Sequence, residues 1–249
     1  MKRILITNRR YGSRLVHKYI ECANTSKHVL SIHNSTEFLN YRNTSFYTGH
    51  YHVASYQDTY QDNIWLGDKF SSIELKIKFL EEQRKKGIEY SHKVIPIHFI
   101  ECNMDIKGWF DEFYKDWEKV ILHRKNKWNP FLSYVIQDNL RDQLGNSEWE
   151  DEFTHSLRNH PVEERIISNL KPFYVTHYNI EYFWYHEDLL NTWDGTKIYL
   201  EDHMPDAHNS LCSYFNVNMP QKIFKIKLDY EKYVLNLTEA KDWFYRYGV

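Results

Sequence analysis

KRILITNRRYGSRLVHKYI, residues 2–20, passes from an apolar, β-branched run to one with helical spacing across a short basic loop. Lys2 to Thr7 reads as a buried strand, and Leu15, Val16, Tyr19 and Ile20 recur at helical intervals. Between them, Gly12 lets the backbone approach a ligand closely. The amides from Gly12 through Ser13 and Arg14 to Leu15 open a helix, where unbonded N–H groups attract a phosphate or sulfate. Arg9, Arg10 and Arg14 surround the loop with positive charge. A nucleoside-triphosphate loop reads G-x-x-x-x-G-K-[ST]; here the first glycine is missing and no lysine follows Gly12. An arginine-rich surface turn would carry the same residues, so this segment alone leaves both readings open.

Outward from that loop, strand-like and helical patterns alternate. His28 to His33 reads as a strand and Glu37 to Tyr41 as a helical turn. Ser71 or Ser72 caps a helix running to Lys86, with Gly87 as its stop. His92 to Ile100 is strand-like, and Pro96 within it suggests an edge or a bulge. Trp109 to Trp117 reads as helix, Val120 to His123 as a buried strand, and Pro130 to Leu140 as helix. A long aromatic helical region follows from Pro161 to Trp193, then a strand over Thr196 to Leu200 and a helix over Ala207 to Phe215. This alternation predicts an α/β fold with a mainly parallel sheet flanked by helices, as a single domain over 1–249. Residues 43–70, rich in Tyr, His, Asn and Thr, read as an acceptor-side insertion.

Composition narrows the function classes. The chain has 249 residues, a formal net charge of −2 and 17% aromatic residues, so no strong overall field draws it to nucleic acid or membrane. Anion binding must then come from local basic residues. Three widely spaced cysteines, Cys22, Cys102 and Cys212, fit neither a disulfide framework nor a zinc ribbon and read as reduced thiols. With no long apolar run and no signal-like amino terminus, the expectation is a cytoplasmic protein without a membrane span. Oligomeric state has no signature here.

A second chemistry-bearing segment is EKVILHRKNKWNPFLSYVI, residues 118–136. Its strand ends at Arg124, and Ser133 follows in the next helix. An arginine at a strand's carboxyl end and a nearby serine could clamp a phosphate; a solvated basic loop is the plainer account.

Taken in order, Arg10-Tyr11-Gly12-Ser13, Arg124 with Ser133, and the late segment Lys197-Ile198-Tyr199-Leu200-Glu201-Asp202 resemble the PAPS-dependent sulfotransferases. Leu211 to Val217 is similar to the helix that ends in Phe-Leu-Gly in that family. The resemblance spans residue 2 to about 220 and implies a P-loop nucleotide-kinase-like sulfotransferase fold. It implies that Arg9, Arg10, Tyr11, Gly12, Ser13, Arg14 and Leu15 hold the 5′-phosphosulfate of PAPS, and that Arg124 and Ser133 hold the 3′-phosphate. The chain departs from the family's pattern in three places. Arg14 stands where Ser or Thr is usual, Tyr11 where a small residue is usual, and Asn216 where a glycine follows Phe215. The family's late glycine-containing basic loop has no clear match, which leaves part of the cofactor site unlocated.

The implied reaction moves a sulfuryl group from PAPS to a hydroxyl or amine of a carbohydrate or small metabolite, releasing PAP. Positioning and charge stabilisation dominate such a transfer, and a sulfuryl group carries less charge than a γ-phosphoryl, so no metal is required. Arg10 is the candidate for stabilising the leaving phosphate oxygen. For the base, Glu37 is the first candidate, although its spacing from Asn34 also suits a capping box. His98 is the second, because imidazole titrates near neutrality; Glu101 is weaker. His50-Tyr51-His52 and His203 with His208 lack zinc-site spacing and read as scattered histidines. Phe173, Tyr174, Tyr178, Tyr182, Phe183, Trp184 and Tyr185 read as core rather than as acceptor contacts. Tyr47, His50, Tyr51, His52 and Tyr56 are better placed for the acceptor. Two rival functions stay open: a P-loop kinase-like phosphotransferase, and a catalytically silent anion- or glycan-binding protein on the same fold.

Overall fold

The computed structural model describes residues 1–24, 29–32, 51–53, 73–87, 89–94, 106–144, 171–218 and 230–248. These fall into two compact units, 1–125 with 186–223 and 126–185 with 224–249.

The first unit carries the sheet. Its strands are β1 (Arg3–Thr7), β2 (Val29–Ile32), β3 (Tyr51–Val53), β4 (Glu89–Val94), β5 (Glu118–His123) and β6 (Thr196–Tyr199), in the order β3-β2-β4-β1-β5-β6. All neighbours run parallel except β2 and β3, which pair antiparallel with Leu30 opposite Val53. The architecture is α/β. β1 lies between β4 and β5, and Ile4, Leu5 and Ile6 are fully buried, the continuous apolar run of a strand covered on both faces. Parallel pairing needs crossovers, and the helices supply them. α1 (Ser13–Ala23) buries Val16, Tyr19 and Ile20; α2 (Ile73–Lys85) and α3 (Ile106–Phe113) precede β4 and β5. Phe110 of α3 meets Trp193 edge-on at 5.2 Å, part of the aromatic packing that builds the core of a chain with 17% aromatic residues.

Topology fixes where a ligand would bind. From β1 the chain turns to β2, on the β4 side of the sheet; from β5 it turns to β6, on the opposite side. Adjacent strands whose connections leave in opposite directions form a switch point, and the crevice beyond their carboxyl ends is the usual ligand site of an open α/β sheet. Here those ends are Thr7 and His123.

In the second unit, α4 (Trp128–Leu144), the first part of α5 (His177–Asn191) and α7 (Leu237–Tyr247) surround an aromatic core. Phe131 lies 4.8 Å from Phe244 and 5.4 Å from Phe183, ring centre to ring centre. A parallel bridge joins Phe173 to Val234, and Asn236 binds both backbone groups of Val175 through its amide. α6 (Ala207–Phe215) belongs to the first unit.

Several elements differ from the sequence reading. β4 runs from Glu89 to Val94 in the interior of the sheet and not at its edge, while Pro96 and the rest of the expected strand lie outside the described residues. The long helix of the aromatic region begins at His177, where Thr176 and Asn179 exchange side-chain and backbone hydrogen bonds in a capping box. Residues 171–176 are not helical. Its aromatics divide: Phe173 and Phe183 are core, whereas Tyr174 and Tyr178 are 65% and 64% exposed. α4 begins at Trp128, whose amide Asn126 Oδ1 accepts, with Pro130 inside the first turn. Within 43–70, Tyr51–Val53 form a strand at the sheet's edge, and the rest lies outside the described residues.

Candidate functional site

The β1–α1 loop is built by convergence on a buried carboxylate. Glu187 of α5 is fully buried, as is Tyr11, and Asn8 is nearly so. Asn8 Nδ2 donates to Glu187 Oε1 at 2.9 Å, and the Tyr11 hydroxyl donates to the same oxygen. Burial first, and then the Glu187 charge, push the Tyr11 phenol far above its ordinary value, so it stays protonated and donating. Asn8 Oδ1 accepts the Arg9 amide at 2.9 Å. Tyr11 therefore points inward as an anchor and does not narrow the mouth of the loop.

The chain takes left-handed geometry at Arg10, between the anchors Asn8 and Tyr11, and again at Gly12, just past them. Arg10 has φ 62° and Gly12 φ 85°. For arginine that conformation costs about 1–2 kcal/mol, which the surrounding bonds must outweigh. At Gly12 a Cβ would also lie 2.7 Å from Leu200 Cδ2, so a side chain is excluded both by backbone conformation and by neighbour. Arg9 and Arg10 are half-exposed, while Ser13 is buried as the first residue of α1. The Leu15 amide already bonds the Gly12 carbonyl at 3.0 Å, as does that of Val16 at 3.2 Å. That narrows the amides open to an anion to those of Gly12, Ser13 and Arg14.

Across the switch point stands Arg124, one residue past β5. Its Nε donates to Glu201 Oε1 at 2.7 Å, and Glu201 Oε2 accepts the Lys125 amide at 3.1 Å. Lys125 Nζ also pairs with Asp202. Burial alone would raise the Glu201 carboxyl, but the Arg124 bond, the backbone amides and the Arg124 charge together hold it below its ordinary value. The basic end of β5 and the acidic end of β6 thus neutralise one another. The Arg124 and Glu201 charges both act on the Tyr11 hydroxyl, which puts the pair within electrostatic reach of the loop.

The first unit accordingly brings Arg9, Arg10, Tyr11, Gly12, Ser13, Arg14 and Arg124 to one end of the sheet. Ser133 is buried on α4, in the second unit. Glu37, His98 and Glu101 lie outside the described residues. His203 and His208 are engaged elsewhere. His203 Nδ1 meets Ser210 Oγ at 2.8 Å, while His208 meets the Tyr19 hydroxyl at 3.0 Å and Cys212 Sγ at 3.8 Å. Among the described residues no group of three or more His, Cys, Asp or Glu side chains could hold a metal ion, and no helix is long and apolar enough to cross a membrane.

Two carboxylates central to this site, Glu187 and Glu201, carry no role in the sequence reading. Glu187 had a signal: it lies four residues after Phe183 and three before Leu190, at apolar helical spacing, where a charged residue calls for a buried partner. No protein-family profile, curated protein or solved structure matches the chain.

Proposed function

We propose that the chain is a PAPS-dependent sulfotransferase acting on a hydroxyl or amine acceptor. The observation that carries the proposal is the left-handed Arg10–Gly12 loop at the switch point, opposite Arg124. Donors on both sides of a switch point would suit two separated phosphates of one nucleotide, which supports this reading. In the reaction an acceptor oxygen or nitrogen bonds to sulfur as the bond from sulfur to the phosphate oxygen breaks. The acceptor proton passes to a base, and negative charge develops on the leaving phosphate. Arg10 and the Gly12 and Ser13 amides meet that charge. Arg124 selects the 3′-phosphate. Glu37 is the proposed base, with His98 the alternative. The work takes place in the cytoplasm and needs no metal.

Calorimetric titration with adenosine 3′,5′-bisphosphate, AMP and Mg·ATP tests the reading. Expected is micromolar binding of the bisphosphate, much weaker AMP, and loss of the preference in Arg124→Ala. Equal or tighter binding of Mg·ATP would overturn it in favour of a kinase-like phosphotransferase. Bisphosphate binding without turnover over a broad acceptor panel would leave only an anion-binding protein.

A further inference from the structure

We infer that Glu201 is a positioning residue that fixes the guanidinium of Arg124 for a phosphate; the inference rests on the functional reading above. An arginine side chain loses about 2 kcal/mol of rotamer freedom when it is fixed, so one that must meet a phosphate repeatedly in one geometry gains from being held beforehand. Glu201 provides that hold. It takes the Nε–H of Arg124 with Oε1, and is itself held through Oε2 by the Lys125 amide next in the chain. The carboxylate is therefore locked from two directions by consecutive residues at the end of β5.

Engagement at Nε has a directional consequence. A guanidinium offers a side-on edge that includes Nε and an end-on edge made of its two terminal nitrogens. Glu201 sits on the first and leaves the second, whose spacing matches two oxygens of a phosphate. The strand order adds the location. β5 and β6 are parallel neighbours, with His123 opposite Tyr199, so Arg124 and Glu201 leave the sheet side by side at its ligand end. Because the charges of Arg124, Lys125, Glu201 and Asp202 cancel, this side of the site recognises phosphate by geometry, and the net positive field comes from Arg9 and Arg10.

The rival role for Glu201 is that of an occupant blocking Arg124, and it predicts the opposite sign. Binding of adenosine 3′,5′-bisphosphate and of AMP is measured for wild type, Glu201→Ala, Glu201→Gln, Arg124→Ala and the Arg124→Ala/Glu201→Ala double variant. Expected is a bisphosphate affinity about tenfold lower in Glu201→Ala, the size of one hydrogen bond to a charged group, with AMP unchanged. Glu201→Gln should be intermediate, since its amide oxygen still accepts from Nε, and the double variant no worse than Arg124→Ala. Unchanged or tighter bisphosphate binding in Glu201→Ala would overturn the inference. If wild type shows no preference for the bisphosphate over AMP, it is the sulfotransferase reading that fails. The positioning role is then read from the Arg124 Nε–H signal in the nitrogen-15 NMR spectrum. A slowly exchanging, shifted signal should move to its free-arginine position in Glu201→Ala, and a signal that does not move overturns it.

Discussion

The Tyr11 hydroxyl reaches across 176 residues of chain to donate to Glu187 Oε1, the oxygen that also accepts from Asn8. The loop that carries Arg9 and Arg10 is thereby held from its buried side by a residue of α5. The Glu187 carboxyl ties Asn8 and Tyr11, on either side of Arg9 and Arg10, to one oxygen.

Removing one donor from that buried carboxylate is costly. Tyr11→Phe should destabilise the first unit by about 1–3 kcal/mol, the cost of leaving a buried acceptor one bond short. Urea unfolding checks this, and a variant as stable as wild type would mean that the bond contributes nothing to the fold.

Arg10→Gly should separate stability from binding. Glycine tolerates φ 62° without strain, so the variant is expected to gain about 0.5–1 kcal/mol in unfolding free energy. On the proposed reading it should lose bisphosphate affinity at the same time, because Arg10 is the residue proposed to meet the charge on the leaving phosphate. Loss of both, or of neither, would mean that the strain at Arg10 is unrelated to ligand binding.

The Glu201 carboxyl lies below its ordinary 4.5 in the folded chain. A lowered folded value stabilises the fold above the unfolded value, and that contribution disappears as pH falls through the folded one. Wild type should therefore be more stable than Glu201→Gln near neutrality, and the gap should close progressively below pH 4.5. Paired urea titrations across that range decide it; a gap independent of pH would rule out the ion pair as its source.

In the second unit, Asn236 accepts the Val175 amide at 3.0 Å and donates to the Val175 carbonyl at 2.9 Å. Val175 is buried, so Asn236→Ala strands two backbone groups and should cost about 2–4 kcal/mol. Asn236→Asp keeps the acceptor alone and should recover part of that. Thermal unfolding of the full chain with the two substitutions side by side measures the difference.

What the sequence disclosed follows from locality. The β1–loop–α1 unit was legible because each part signals itself within a few residues: an apolar run, a glycine that takes φ 85°, and a 3.6-residue repeat. α6 was legible at both ends: Asp206 caps it by accepting the Asn209 amide, and Asn216 closes it at φ 53° in the left-handed geometry expected there. By contrast, β4 opens with Glu89-Tyr90-Ser91, too polar to announce an interior strand, and it is pairing with β2 that makes it one. α7, past the end of the family resemblance, had no motif to mark it. The Arg124–Glu201 and Tyr11–Glu187 pairs join positions 77 and 176 residues apart, and no local pattern encodes such a distance.

The place of β1 in the sheet also bears on how the chain is made. Its partners are β4 and β5, with Arg3 opposite Glu118, so β1 waits for neighbours that leave the ribosome much later. Until then Ile4, Leu5 and Ile6 form an apolar ribbon with both edges unpaired, the kind of segment that adds strands from other chains. The strand most protected in the finished protein is therefore the one longest at risk during translation. A chaperone that recognises extended apolar segments would find a substrate in β1 for as long as β4 and β5 are still to come.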